Sequence, residues 1–396
     1  MTEYVLNDIA EITSSKRIFY SDYVDSGIPF YRSREIINLD NGEDLKELIF
    51  ISQEKYHDIK NKFGAPSKND ILITSVGTIG NTYLVREEDE FYFKDGNLTW
   101  LRKWIDNVEP KFVLYWIKSP LGQGELYSQL IGSSQKALTI SALKKIKINI
   151  PPLPTQRKIA SILSAYDDLI ENNLKRIKLL EEKAFVTYKG IVSSAKDLKR
   201  LPLAQLATVT SSKRIFFSDY VEEGIPFYRS KEIIAKSNFE SIQNPLYITE
   251  ERYADIKEKF GVPISGDLLV TSVGTIGFIH LVNDDDGDFY FKDGNLIWIR
   301  NLINKNLAYF LFFKFRTSEF REMLNSVAIG SSQKALTIET VKKIEVEVPT
   351  DESLTEFNKE TKTIIKLIYT LQKQNTKLRE ARDILLPRLM NGQIEV

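Results

Sequence analysis

The sequence predicts an α+β protein. Two homologous globular domains, β-rich with short helices, are separated by two long helices that form an antiparallel coiled coil with pseudo-two-fold symmetry. Three observations predict this. The first is a tandem duplication: SSKRIFYSDYVDSGIPFYRSREII begins at Ser14 and SSKRIFFSDYVEEGIPFYRSKEII begins at Ser211, with 20 of 24 positions identical. The second is that each copy ends in a proline break followed by a run with apolar residues spaced alternately by four and three. The third is a single central asparagine in each of those runs, Asn173 and Asn375.

The elements follow in order. Residues 1–150 form the first domain, 151–198 the central helix, 199–348 the second domain and 349–396 the last helix. Further islands repeat: ITSVGTIG (73–80) returns as VTSVGTIG (270–277), FYFKDGNL (91–98) recurs at 289–296, and IGSSQKALTI (131–140) recurs at 329–338. A period near 200 residues is a whole domain with its connector, not a solenoid unit. Within each domain, short runs rich in β-branched and aromatic residues (DILIT, FYFKDGNLTWLR, KKIKINIP) read as strands. The Asp95-Gly96 and Asp293-Gly294 pairs read as tight hairpin turns. PPLP (151–154) and VPTD (348–351) close the domains.

The first helix carries the seam Ile159, Leu163, Tyr166, Ile170, Asn173, Ile177, Leu180, Ala184, Thr187, Ile191. The second carries Phe357, Thr361, Ile364, Ile368, Leu371, Asn375, Leu378, Arg382, Leu385, Leu389. A buried asparagine lowers stability and fixes register. If the helices run antiparallel and the asparagines meet, paired numbers sum to 548, which also sets Thr187 against Thr361, Ile177 against Leu371, Leu163 against Leu385 and Ile159 against Leu389. The other reading is that each helix packs on its own domain. Pro387 should bend or end the second helix.

Composition narrows the function. There is no cysteine, which excludes disulfides and thiolate chemistry, and only two histidines, His57 and His280. Neither is shared between copies, since they align with Ala254 and Tyr83. No phosphate-binding or nucleophile-elbow motif occurs. The 54 basic and 54 acidic residues balance, which argues against coating nucleic acid by charge alone. With no signal-like N-terminus and no long apolar run, a cytoplasmic protein without membrane contact is expected.

Two similar heads held apart and inverted suit a ligand with two-fold symmetry, and duplex DNA is one. Base edges and phosphates are read by Arg, Lys, Gln, Asn, Ser and Thr on loops. The repeated islands supply them: Lys16 and Arg17 (Lys213, Arg214); Arg32, Ser33 and Arg34 (Arg229, Ser230, Lys231); Thr74, Ser75 and Thr78 (Thr271, Ser272, Thr275). To these are added Lys94, Asp95 and Asn97 (Lys292, Asp293, Asn295), and Ser133, Ser134, Gln135 and Lys136 (Ser331, Ser332, Gln333, Lys334). Each has a plainer reading: the Gly turn as a structural turn, Lys-Asp-Gly-Asn as a hairpin, Lys-Arg as solvated charge. The Gly-Ser-Ser-Gln-Lys loop is the most specific, because intervening segments have drifted while it has not.

The layout resembles the specificity subunits of type I restriction–modification systems. The duplicated domain followed by a long helix carries the resemblance, with the junction IKINIPPLPTQRKIASILSAYDDLI (146–170), Gln156 included, and the tail LLPRLMNGQIEV (385–396). The second junction, VEVPTDESLTEFN, keeps one proline and lacks the glutamine. The resemblance implies two target recognition domains on an antiparallel spacer. Each domain would read one half of a split site, and the spacer would set the gap. Two methyltransferase subunits would methylate adenine using S-adenosylmethionine, and restriction subunits would add an ATP- and Mg-dependent translocating nuclease. The chain itself would be non-catalytic and hold no cofactor and no metal. Because the candidate loops are nearly identical, the halves should match in inverted orientation, as an interrupted palindrome. Alternatives are a methylation-only or phage-defence complex without nuclease, a scaffold binding protein or glycan, and an enzyme with a cryptic site.

Overall fold

The computed structural model describes residues 1–42, 45, 47–130, 136–195, 197–240, 242, 244–330 and 334–396. The chain forms two compact units, one of residues 1–171 with 377–396 and one of residues 172–376. Each unit therefore contains one copy of the duplicated domain and a stretch of both long helices, Leu153–Ser194 and Asp351–Met390.

In the first unit a four-stranded antiparallel sheet runs in the order Glu11–Thr13, Leu98–Arg102, Ile71–Thr74, Thr82–Leu84. A second sheet has the order Tyr23–Val24, Ile49–Ile51, Ile28–Tyr31, Tyr92–Phe93, its last pairing parallel. Thr2–Val5 pairs with Lys147–Ile150, which brings the two ends of the domain together. Alternate residues of a strand face opposite sides, and Ile71–Thr74 uses both. Ile71 and Ile73 join Phe112, Val113 and Leu163, whereas Leu72 joins Ile36, Phe91 and Trp100. This is why the run is apolar throughout and does not alternate.

The second unit repeats this topology. Its sheets run Thr208–Thr210, Leu296–Arg300, Leu268–Thr271, Ile279–Leu281 and Tyr220–Val221, Leu246–Ile248, Ile225–Tyr228, Tyr290–Phe291. Lys199–Pro202 closes on Glu345–Val348.

The long helices bury the stripe expected of a 3.5-residue repeat. Ile159, Leu163, Ile170, Asn173, Ile177 and Ala184 are buried on one, and Phe357, Thr361, Ile364, Ile368, Leu371, Asn375 and Leu389 on the other. In the second unit the two stretches are antiparallel: Asn173 meets Asn375 and Lys183 meets Glu360. In the first unit Asp167 meets Arg382.

One expectation is corrected and two are made more specific. The Asp-Gly turns are not hairpins: Tyr92–Phe93 and Leu98–Arg102 enter different sheets, as do Tyr290–Phe291 and Leu296–Arg300. Gly96 and Gly294 supply the positive φ of 78° and 74° that the turn needs, but the chain then corners from one sheet to the other. Of the two outcomes expected at Pro387, a bend or an end, the end does not occur, since the last helix continues to Met390. Leu386, Leu389 and Met390 are packed in the first unit's core, and that burial outweighs one missing backbone bond. At the seam positions Thr187 and Thr361, Thr187 Oγ1 donates to its own helix at the Lys183 carbonyl and the buried Thr361 hydroxyl is unpartnered. The neighbouring Tyr188 is buried instead, against Phe310, Phe313 and Phe357, because the larger ring buries more apolar surface.

Candidate nucleic-acid interface

Backbone hydrogen bonds draw the repeated islands together at the corner turn. In the first copy, Lys94 N–H donates to the Tyr31 carbonyl at 2.8 Å and Ser75 N–H to the Asn97 carbonyl at 2.8 Å. Leu138 N–H donates to the Ser75 carbonyl at 2.9 Å, and Val76 bridges Ala137. Lys16 N–H donates to the Tyr92 hydroxyl at 2.8 Å, and Arg17 Nε to Asp95 Oδ2 at 3.0 Å. Five segments spread from residue 14 to residue 138 thus converge on one place. The second copy repeats the set: Lys292 to Tyr228 and Ser272 to Asn295 at 2.9 Å each, Leu336 to Ser272 at 2.7 Å, and Arg214 to Asp293 at 3.0 Å.

The candidate side chains fall into two groups. Thr74, Ser75, Thr271 and Ser272 are buried, and their hydroxyls work inward. Thr74 Oγ1 accepts from Asn81 N–H and donates to the Thr78 carbonyl at 2.6 Å, which pins the glycine turn. Ser75 Oγ bonds Thr99 Oγ1 at 2.6 Å. Thr271 Oγ1 accepts from Phe278 N–H at 3.0 Å. Arg32 and Arg229 also face partly inward. Each closes the start of a short helix through Glu35 or Glu232, which is 1% or 2% exposed. Burial opposes ionisation of these carboxyls, but the arginine hydrogen bonds prevail and hold them below the usual range.

The second group is exposed: Lys16, Arg17, Arg34, Thr78, Lys94 and Lys136 in the first copy, and Lys213, Arg214, Lys231, Thr275 and Lys334 in the second. Asn97, Asn295 and Lys292 are half-buried. Arg34 pairs with Glu35 and Glu47, Lys231 with Glu232, and Lys334 Nζ reaches the Asn325 carbonyl. Among the described residues, Lys16, Lys94, Lys136, Lys213 and Lys292 have no carboxylate partner. Lys16 and Lys213 lie over the Phe63 and Phe260 rings at 4.7 and 4.5 Å, and none of the five charges is neutralised by a carboxylate, so all can meet a polyanion. Ser133, Ser134, Gln135, Ser331, Ser332 and Gln333 lie outside the described residues. Among the described residues no acidic or histidine cluster could hold a metal, and no helix is long and apolar enough to cross a membrane. His57 is exposed, and His280 is buried against Asp286 at 2.9 Å.

Known proteins share this organisation. The family profile for the type I restriction modification DNA specificity domain matches residues 1–182 and again 196–385. The chain belongs to this family. It is a type I specificity subunit with two target recognition domains, of a family that is non-catalytic. The subunit is 33% identical over 190 residues to a Haemophilus influenzae protein described as a type I restriction enzyme specificity subunit, covering 46% of this chain and 45% of that one. It thus spans less than half of that relative. It is 23% identical over 369 residues to the type I restriction enzyme MjaVIII specificity subunit of Methanocaldococcus jannaschii, covering 86% and 83%. The fold matches the crystal structure of the type I restriction–modification S subunit from M. genitalium, with TM-score 0.62, 17% identity and 98% and 95% coverage.

The specificity subunit also contains residues whose roles sequence reasoning did not assign. The junction glutamine is a structural tie. Gln156, 1% exposed, accepts from Glu109 N–H and donates to the Asn107 and Pro151 carbonyls, which fastens the central helix to the first domain. In the second copy, which lacks that glutamine, Asn358 donates to the Asn306 carbonyl at 2.8 Å. Four exposed aromatics, Phe19, Tyr20, Phe216 and Phe217, follow the Lys-Arg pairs after one buried isoleucine, Ile18 or Ile215. The signal was present, because large rings inside a repeated polar loop invite a functional question.

Proposed function

We propose that the subunit reads a bipartite DNA site as two matching halves in inverted orientation, one per recognition domain. The observation that carries this is the doubled geometry: the same islands meet at the same corner in both copies, down to Arg17–Asp95 and Arg214–Asp293 at 3.0 Å each. Two readers built alike recognise alike. Lys16, Arg17, Lys94, Thr78, Asn97 and Lys136, with their counterparts, meet phosphates and base edges. The buried Thr74 and Ser75 and the half-buried Arg32 hold the loops that present them. The repeated Gly-Ser-Ser-Gln-Lys sequence supplies further DNA contacts in this reading. The paired long helices set the gap and dock two methyltransferase subunits. S-adenosylmethionine, ATP and Mg serve those partners and the restriction subunits, and this chain supplies no catalytic group to them. The reading places the complex in the cytoplasm, where its DNA is.

The test is to co-express the chain with the methyltransferase encoded beside it, in cells lacking other adenine methylation, and map N6-methyladenine by long-read sequencing. One interrupted motif with inverted matching halves is expected. An asymmetric motif would leave recognition standing and overturn the symmetry, whereas no motif would remove the reading altogether.

A further inference from the structure

Tyr20 and Phe217 are 87% and 88% exposed, although each is a large ring in a structured 3-10 turn. Isolated exposed side chains are common, but these two recur at the same place in both copies beside a second exposed ring, Phe19 or Phe216.

The rings are held, not loose. Asp22 accepts from Phe19 N–H at 2.9 Å and from Lys55 Nζ at 3.1 Å, closing the turn. Asp219 does the same for Phe216 N–H at 3.0 Å. Beneath the tip runs a ladder of aromatic contacts. Tyr20 meets Tyr23 edge to face at 5.5 Å, and Tyr23 meets the buried Phe30 at 5.6 Å. The second copy matches it, Phe217 on Tyr220 at 5.8 Å and Tyr220 on Phe227 at 5.6 Å. A ring propped on a core has little conformational freedom left to lose when a ligand covers it.

The exchange of Tyr20 for Phe217 shows that the two copies share a ring face and not a hydroxyl. Upstream in the same loops stand exposed cations, Lys16 and Arg17 or Lys213 and Arg214, of which the lysines have no carboxylate partner among the described residues. Planar apolar faces beside cations match bases beside phosphates.

We propose that Tyr20 and Phe217 are aromatic wedges that stack at a base step of duplex DNA, one in each half-site, with Phe19 and Phe216 supporting them. The proposal rests on the DNA-reading role above and adds the group that distorts the duplex. A wedge at a step is the aromatic counterpart of the apolar insertions by which proteins unstack and kink DNA.

The experiment uses the full chain with its neighbouring methyltransferase. Wild type first yields the methylated motif. Duplexes of that motif then carry 2-aminopurine at successive positions, and binding and fluorescence are measured for wild type, Tyr20→Phe, Tyr20→Leu, Tyr20→Ala and Phe217→Ala. The expected result is affinity reduced about 10-fold for each ring removed. Fluorescence rises at one step per half-site with wild type and Tyr20→Phe, and fails to rise in one half-site for Tyr20→Ala and Tyr20→Leu. Melting temperatures should stay at the wild-type value, because the ring is solvent-exposed. Wild-type affinity and fluorescence in the alanine variants would overturn the wedge alone. So would loss of methyltransferase co-purification with DNA binding intact, which would assign the rings to a protein partner. A wild type without any motif would overturn the recognition role and the wedge with it.

Discussion

Asn173 Nδ2 donates to Asn375 Oδ1 at 2.9 Å, and both side chains are buried within the second unit. The two amides sit one on each helix, beside the buried Ile177, Leu371 and Ile368, and the bond between them ties the helices at this level.

Replacing Asn375 by Leu should therefore cost stability, about 1–3 kcal/mol, because Asn173 is left buried without this bond. The double variant Asn173→Leu, Asn375→Leu should recover that loss while relaxing register. Urea denaturation measures the first effect. Because the chain has no native cysteine, cysteines introduced at 177 and 371 measure the second by the uniqueness of their crosslink. A double variant less stable than either single one would contradict this pairing.

Arg32 and Lys94 should behave oppositely on substitution. Arg32→Ala leaves the buried Glu35 carboxylate with only Arg34 and the backbone N–H of residue 32 and should destabilise the first unit by roughly 1–2 kcal/mol, below the loss for a fully buried pair because the guanidinium is partly exposed and Arg34 remains. Lys94→Ala should leave the melting temperature unchanged. It should weaken DNA binding on all sequences alike and lower the salt slope by about one unit. Calorimetric melting and a salt titration of affinity separate the two outcomes.

The second unit should be the more acid-sensitive near neutrality. Burial holds the His280 imidazole below its ordinary value of 6.5, despite Asp286, whose charge Lys236 also meets. The unfolded chain then takes up a proton near pH 6.5 that the folded chain refuses. Stability is full above 6.5 and falls as pH drops below it, by at most about 1.4 kcal/mol per pH unit. In the first copy Tyr83 donates to Asp89 at 2.8 Å in the corresponding place and carries no such dependence, since burial pushes its phenol upward. His280→Tyr should flatten the dependence between pH 5 and 7, measured by denaturant titration.

Gln156 should anchor the central helix. Gln156→Ala removes three hydrogen bonds and leaves the Glu109 N–H without its acceptor, so a loss of about 1–3 kcal/mol is expected. Gln156→Glu should be at least as harmful, because a carboxylate offers no donor to the Asn107 and Pro151 carbonyls. Hydrogen exchange at residues 153–160 reports the loosened helix start.

Much of the fold was legible because its signals are local. The duplication and the apolar seams are periodicities, and the first six seam positions of the last helix, Phe357 to Asn375, are all buried. The corner turn was not legible: Asp-Gly specifies the positive φ at Gly96, but partner choice for the flanking strands involves Tyr31 and Ser75, which bond Lys94 and Asn97 and lie outside the turn in sequence. In the same way the islands named the candidate residues but not their orientation. Thr74 and Thr78 are four apart in one motif, yet one hydroxyl is buried and the other residue exposed.

The sequence by itself determined that there are two like domains, where each long helix lies, and which polar loops recur. Those properties follow from repetition and hydrophobic period, which any stretch of chain carries within itself. Only the tertiary structure decided that five loops share one corner, that Arg32 stabilises a helix start, that Asn358 donates at the second junction, and that Tyr20 and Phe217 stand in solvent. Each of these depends on contacts between residues far apart in sequence. The free energy of burying or pairing a side chain is set by the neighbours that folding brings to it, not by the residues beside it in the chain.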